Sequence, residues 1–177
     1  LRVPLEDEPP ALARLGERYR ALATDPALAP LRVAGGPIPA ELHWLPDAIV
    51  LPAPGFRSLN HPLLSLEFLA GGSLVQNVQA AVERDDRLAL ATLAANIARL
   101  VAALDRSGFG HGELRPDNIL FRTPDQPVLI DLDRAAWPGA PGVPLAADPV
   151  ARDRLPALLL VTELLALAWR PDLAAEA

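Results

Sequence analysis

Apolar positions along the chain fall at helical spacing, then at strand spacing, then at helical spacing again. Leu12, Leu15, Tyr19 and Leu22 recur every three or four residues and predict an amphipathic helix. Asp7 and Glu8 followed by Pro9 and Pro10 give it an anionic, proline-led start, and it is expected to run to about Ala23. Ahead of it, "LRVPL" alternates as a short strand does. The stretch from the helix to about residue 48 is rich in proline and reads as irregular. "AIVLPAPGFRSLNHPLLSLEFL" then reads as two strands around a turn containing Pro54, Gly55 and Asn60.

"AGGSL", residues 70–74, punctuates the chain, so a division into residues 1–70 and 71–177 is expected. Helical spacing returns in "LVQNVQAAVER" and in "RLALATLAANIARLVAALDRSG", the second closed by Gly108 as a C-cap. "ILFRT" and "PVLID" are short β-rich runs joined by the turn residues of "PDQ", which predicts a hairpin. A Pro/Gly/Ala stretch from Pro138 to Pro149 precedes a last helix. Its apolar run, residues 155–169, contains Thr162 and Glu163 and falls short of the roughly 20 residues a membrane span needs. The elements together predict an α+β fold with a small sheet-bearing first part and a mainly helical second part.

Composition narrows the function classes. Half the residues are apolar, 51%, enough for a sizeable core. A net charge of -6 without clustered cations argues against a nucleic-acid partner. The absence of cysteine excludes disulfides and thiolate metal sites, and His43, His61 and His111 lack the spacing of a zinc ligand set. All sixteen cationic side chains are arginine, so any task usually given to lysine falls to arginine. "LRVPLEDEPP" lacks the basic-then-apolar order of a signal peptide, and a soluble cytoplasmic protein is the expectation.

The candidate chemistry sits in "HGELRPDN", residues 111–118, and in Asp131, thirteen residues after Asn118. The predicted hairpin lies between Asn118 and Asp131, so both side chains should emerge at one end of it. Two hard oxygen donors at one spot suit Mg²⁺, which takes one or two protein oxygens and fills its shell with water and phosphate. Glu113 stands five residues before Asn118, and Arg115 between them could neutralise a transferring phosphoryl group. An acid, a cation and two metal ligands are the parts phosphoryl transfer requires.

These residues resemble the catalytic loop and metal-binding strand end of the protein-kinase-like superfamily, in the form of the eukaryotic-type protein kinase domain. H-R-D-L-K-x-x-N is matched by His111, Gly112, Glu113, Leu114, Arg115, Pro116, Asp117 and Asn118, and D-F-G by Asp131, Leu132 and Asp133. "LEFLAGGSL", residues 66–74, resembles the hinge. The resemblance implies a two-lobed fold with a reduced first lobe, and ATP and Mg²⁺ as cofactors. It further implies Leu66 as gatekeeper, backbone groups of Glu67 and Leu69 toward adenine, Ser73 near the ribose and Leu120 under the ring. Asp153, at the head of the last helix, resembles the acid that anchors the catalytic loop, and His111 is implied to be structural.

The sequence also departs from that pattern. The loop acid is Glu113 where aspartate is usual, and the added methylene moves the carboxylate by about 1 Å, which can cost about a hundredfold in rate. The strand lysine has only Arg2 as counterpart, and Glu17 is the nearest candidate for its helical partner, though it projects away from the apolar stripe. No glycine-rich phosphate-covering loop occurs, Gly35 and Gly36 coming after the first helix. Asp131 and Asp153 are only 22 residues apart, too few for a peptide-substrate platform. Three functions are therefore expected: a phosphotransferase of weak or atypical activity on a protein or small-molecule acceptor, a pseudokinase serving as a binding module, or a small-molecule or lipopolysaccharide kinase.

Overall fold

The computed structural model describes residues 9–29, 31–51, 59–141 and 148–175. Arg2, the expected first strand, and the turn residues Pro54 and Gly55 lie outside the described residues. Helix α1 (Pro9–Thr24) buries Tyr19 and Leu22, and Tyr19 stacks on Trp44 with ring centroids 5.9 Å apart. Gly16 permits this approach, since a Cβ there would lie 2.7 Å from the Trp44 indole nitrogen.

The proline-rich stretch expected to be irregular is in fact ordered. Strands β1 (Arg32–Val33) and β2 (Gly36–Pro37) form a tight hairpin through Ala34 and Gly35, at φ 48° and 81°. Two consecutive positive φ values are what a two-residue turn between twisted strands demands. Strand β3 (Leu42–Leu51) begins well before Ala48 and pairs antiparallel with β4 (Leu59–Leu66). Asn60, expected in the turn, lies in β4 opposite Val50. The register shifts between Leu45 and Ile49, around Pro46, which has no amide to give a ladder.

Helix α2 (Leu74–Glu83) starts at a capping box: the Ser73 hydroxyl accepts from the Gln76 amide and the Gln76 side chain from the Ser73 amide. Helix α3 (Arg87–Ser107) ends at Gly108, left-handed at φ 65°. By length and composition α3 could cross a membrane. Its Leu93, Ile97, Leu100 and Leu104 are buried in the common core instead. Strands β5 (Ile119–Thr123) and β6 (Gln126–Leu129) form the expected hairpin, and α4 (Ala151–Trp169) is the last long helix.

Among the described residues three two-stranded antiparallel sheets thus lie among helices, a mixed α+β arrangement. One link sets the position of the site. Leu129 donates to the Ile38 carbonyl at 2.7 Å and Ala40 donates to the Leu129 carbonyl at 3.1 Å. The lead-in to β3 is therefore fastened alongside β6. Phe109, Trp137, Ile119 and Phe121 fill the core beneath, with Phe109 and Trp137 stacked at 6.0 Å.

Candidate active site

The β5–β6 hairpin carries Asn118 immediately before it and Asp131 two residues after it. Ile130 donates to the Asn118 carbonyl at 3.0 Å, which closes the base of the hairpin and keeps the two positions together. Asn118 and Asp131 line one cavity of about 270 Å³ together with Tyr19, Ala40, Leu42, Leu64, Leu66, Leu129 and Leu132. Asp131 has φ 58° and ψ 55°. Left-handed backbone is costly for a residue with a Cβ and persists where the surroundings impose it, often at functional sites. A single turn, Leu132–Arg134, follows.

The loop before Asn118 is held from several directions. The buried Asp153 carboxylate, from the first turn of α4, accepts from the amides of His111 and Gly112, the latter at 3.1 Å. Gly112 has φ 80° and sits where a Cβ would be 2.6 Å from the Arg134 carbonyl, so only glycine fits. The buried His111 ring donates from Nε2 to the Ile130 carbonyl at 2.8 Å and accepts at Nδ1 from the Glu113 amide at 3.3 Å, which defines a neutral tautomer. Asn118 Nδ2 donates to the Glu113 carbonyl at 3.0 Å, leaving Oδ1 as the carboxamide's acceptor atom.

Glu113 is half-buried between two guanidinium groups. Arg115 Nη1 lies 3.6 Å from Oε1, and Arg134 Nε lies 3.6 Å from Oε2. Arg115 also approaches Asp117 at 3.7 Å. Arg134 was missed in the sequence because nothing in its spacing separates it from a surface arginine. Arg18 and Tyr19 were missed for a similar reason. Arg18 donates to the Asp133 carbonyl at 2.6 Å and the Tyr19 hydroxyl to the Asp133 carboxylate, so α1 is docked on the turn after Asp131.

Other sequence candidates lie elsewhere. Glu17 is exposed and does not line the cavity, because α1 turns its Tyr19 face inward. The Ser73 hydroxyl is committed to capping α2. Leu66 lines the cavity, whereas Leu69 and Leu120 do not. Leu120 pairs with Val128 and bridges to Ser73. The Glu67 side chain makes a bidentate pair with Arg122, both bonds 2.6 Å, and its amide donates to the Glu41 carbonyl. Among the described residues the Glu67 carbonyl and the Leu69 amide have no hydrogen-bond partner. Arg122 holds the Glu67 carboxyl below the ordinary glutamate range through those hydrogen bonds.

Residues 40–138, from the lead-in to β3 through the turn after Asp131, match the model of the phosphotransferase enzyme family. The chain belongs to the phosphotransferase enzyme family. A comparison with curated proteins finds no match. This phosphotransferase family is part of the protein-kinase-like superfamily, and its members generally use ATP and Mg²⁺. The donor chemistry of the cavity suits that ion. No cluster of three or more His, Asp or Glu side chains that could hold a metal forms among the described residues. Mg²⁺ needs no such cage: one carboxylate and one carboxamide oxygen beside a nucleotide's phosphates make an ordinary site.

Proposed function

We propose that the chain is an ATP- and Mg²⁺-dependent kinase of a small hydroxyl-bearing acceptor, with residues 1–70 and 71–177 as the two lobes of a kinase-like fold. The observation that carries the reading is the convergence of Asn118 and Asp131 on one cavity, with Glu113 held at the end of the same loop. A small acceptor is favoured because Asp131 and Asp153, only 22 positions apart, leave no platform for a peptide. The reaction belongs in the cytoplasm, where ATP is supplied.

Bound Mg²⁺–ATP would supply the terminal phosphoryl group, with Asn118 Oδ1 and the Asp131 carboxylate as the protein's ligands. Glu113 orients the acceptor hydroxyl and takes its proton. Arg115 and Arg134 offset negative charge beside that carboxylate. Leu42, Leu64 and Leu66 give the cavity its apolar wall. The Glu67 carbonyl and Leu69 amide are suited to the edge of a purine. Turnover is slow in this reading, because the glutamate reaches about 1 Å further than an aspartate would.

One observation favours a second reading, a nucleotide-binding pseudokinase: both Glu113 oxygens already face guanidinium groups, which competes with taking a proton. Thermal-shift titration with ATP, with and without Mg²⁺, followed by a labelled-phosphate transfer assay, separates the readings. Mg²⁺-dependent stabilisation with turnover supports the kinase, and stabilisation without turnover supports the pseudokinase. Neither response would overturn both.

A further inference from the structure

Asp131 holds a backbone conformation that its residue type does not favour. Its φ of 58° and ψ of 55° are left-handed, and a residue with a Cβ keeps that conformation only where its neighbours impose it. The segment after it is fastened from within the second part of the chain: Gly110 and Ala136 each donate to the other's carbonyl at 2.8 Å. From the first part of the chain it is gripped by α1 and the turn that follows α1. Arg18 donates to the Asp133 carbonyl, the Tyr19 hydroxyl donates to the Asp133 carboxylate, and Asp25 accepts from the Trp137 indole at 2.7 Å.

Tyr19 joins this grip to the cavity. It is buried, and it lines the same cavity as Asn118 and Asp131. The stack on Trp44 sets the plane of its ring, and Gly16 leaves the space that the indole occupies. Trp44 pairs in turn with Leu64 of β4, another residue of the cavity. A hydroxyl on a ring that cannot turn is a directed donor, and its bond to a carboxylate is stronger than one to a neutral oxygen.

We infer that Tyr19 is a positioning residue for the metal site: through Asp133 it holds the turn that keeps Asp131 left-handed, with its carboxylate on the cavity shared with Asn118. Its hydroxyl acts on the turn and not on the nucleotide. The consequence for the metal rests on the proposed reaction, whereas the hold on the turn does not.

Tyr19→Phe removes the hydroxyl and keeps the ring, which allows a direct test. In the nucleotide-free chain, amide exchange followed by NMR should quicken about tenfold at Ala135, whose amide closes the turn onto the Leu132 carbonyl, and stay unchanged in β5 and β6. At saturating ATP, the Mg²⁺ concentration that gives half the thermal shift should rise about tenfold, as for one lost hydrogen bond to a charged group, while the shift by ATP alone is kept. Asp133→Ala should do the same, and the double variant should be no worse than either single one, because the same bond is lost in all three. Asp133→Asn keeps an acceptor oxygen and should recover most of the wild-type response. Leu22→Ala, also buried on α1, should lower the unfolding midpoint and leave the Mg²⁺ response unchanged, which separates lost stability from lost positioning. Wild-type exchange at Ala135 in Tyr19→Phe overturns the inference, and so does a wild-type Mg²⁺ response in that variant; the proposed reaction survives both results. A wild-type chain whose ATP shift ignores Mg²⁺ overturns the proposed reaction instead, and the exchange at Ala135 then decides by itself whether Tyr19 holds the turn.

Discussion

Arg134 reaches back to Glu113, its Nε 3.6 Å from the carboxylate, so the loop acid is tied to the turn that follows Asp131. A glutamate has one more rotor than an aspartate, and a cation on each oxygen restricts it. Both arginines are largely exposed, so these pairs contribute little to stability, under about 1 kcal/mol each. Their effect should appear in rate. Arg134→Ala should lower kcat about tenfold while the unfolding midpoint in urea hardly moves. Glu113→Gln should remove about a hundredfold or more. Glu113→Asp should raise kcat if reach alone limits the site. Steady-state kinetics on the three variants checks this, and an unchanged kcat in all three would remove Glu113 from the chemistry.

Asn118 and Asp131 make the sharpest claim about the metal. Asn118→Ala and Asp131→Asn should each abolish the Mg²⁺-dependent part of the ATP thermal shift. Asparagine is the better replacement at Asp131, because it tolerates left-handed backbone where alanine would lose about 1–2 kcal/mol. A Mg²⁺-dependent shift that survives both substitutions would place the ion elsewhere.

Local pattern made much of this fold legible. α2, α3 and the β5–β6 hairpin follow from periodicity, Gly108 and the Pro124–Asp125 turn, all signals a few residues long. The order of β1, β2 and the start of β3 was hidden, because prolines mask strand pattern and their pairing comes from contacts distant in sequence. The bond from Leu129 to Ile38 joins residues about half the chain apart and leaves no mark on either residue's neighbours. Asn118 and Asp131 were legible because a short hairpin joins them. Arg134, Arg18 and Tyr19 were not, since a loop and a docked helix decide what they touch. Glu17 illustrates the converse: it is near in sequence to Arg18 and Tyr19, yet faces away from Asp133.

Asp153 should prove structurally costly to change. It is buried, and its carboxylate satisfies two loop amides from His111 and Gly112. Asp153→Ala would strand both donors, and each buried unsatisfied group costs about 1–3 kcal/mol. A loss of about 3 kcal/mol in urea unfolding is expected, with nucleotide binding reduced alongside. Asp153→Asn keeps one acceptor oxygen and should lose about half as much. Gly112→Ala should lose at least 1–2 kcal/mol, from positive φ and the Arg134 carbonyl together. Wild-type stability in Asp153→Ala would mean the loop is held by other contacts.

The Glu67–Arg122 pair predicts a pH dependence with a definite sign. Hydrogen bonding from Arg122 lowers the Glu67 carboxyl below its ordinary value of 4.5 in the folded chain. A depressed folded value means stability that is fully present above the ordinary value and lost as pH falls through the folded one. Arg122 stays charged throughout that range. The bidentate geometry and the partly buried setting make the pair worth about 1–2 kcal/mol at neutral pH. Glu67→Gln should therefore be less stable than wild type by that amount at pH 7, and the gap should close as the pH falls below the ordinary glutamate value and through the lowered folded one. Urea unfolding of both proteins from pH 7 to pH 3 measures it. The pair fastens the segment beside Leu66 to β5, so the same acidification should weaken ATP binding in wild type more than in the variant. A stability gap that stays constant with pH would show that Glu67 acts through packing and not through its charge.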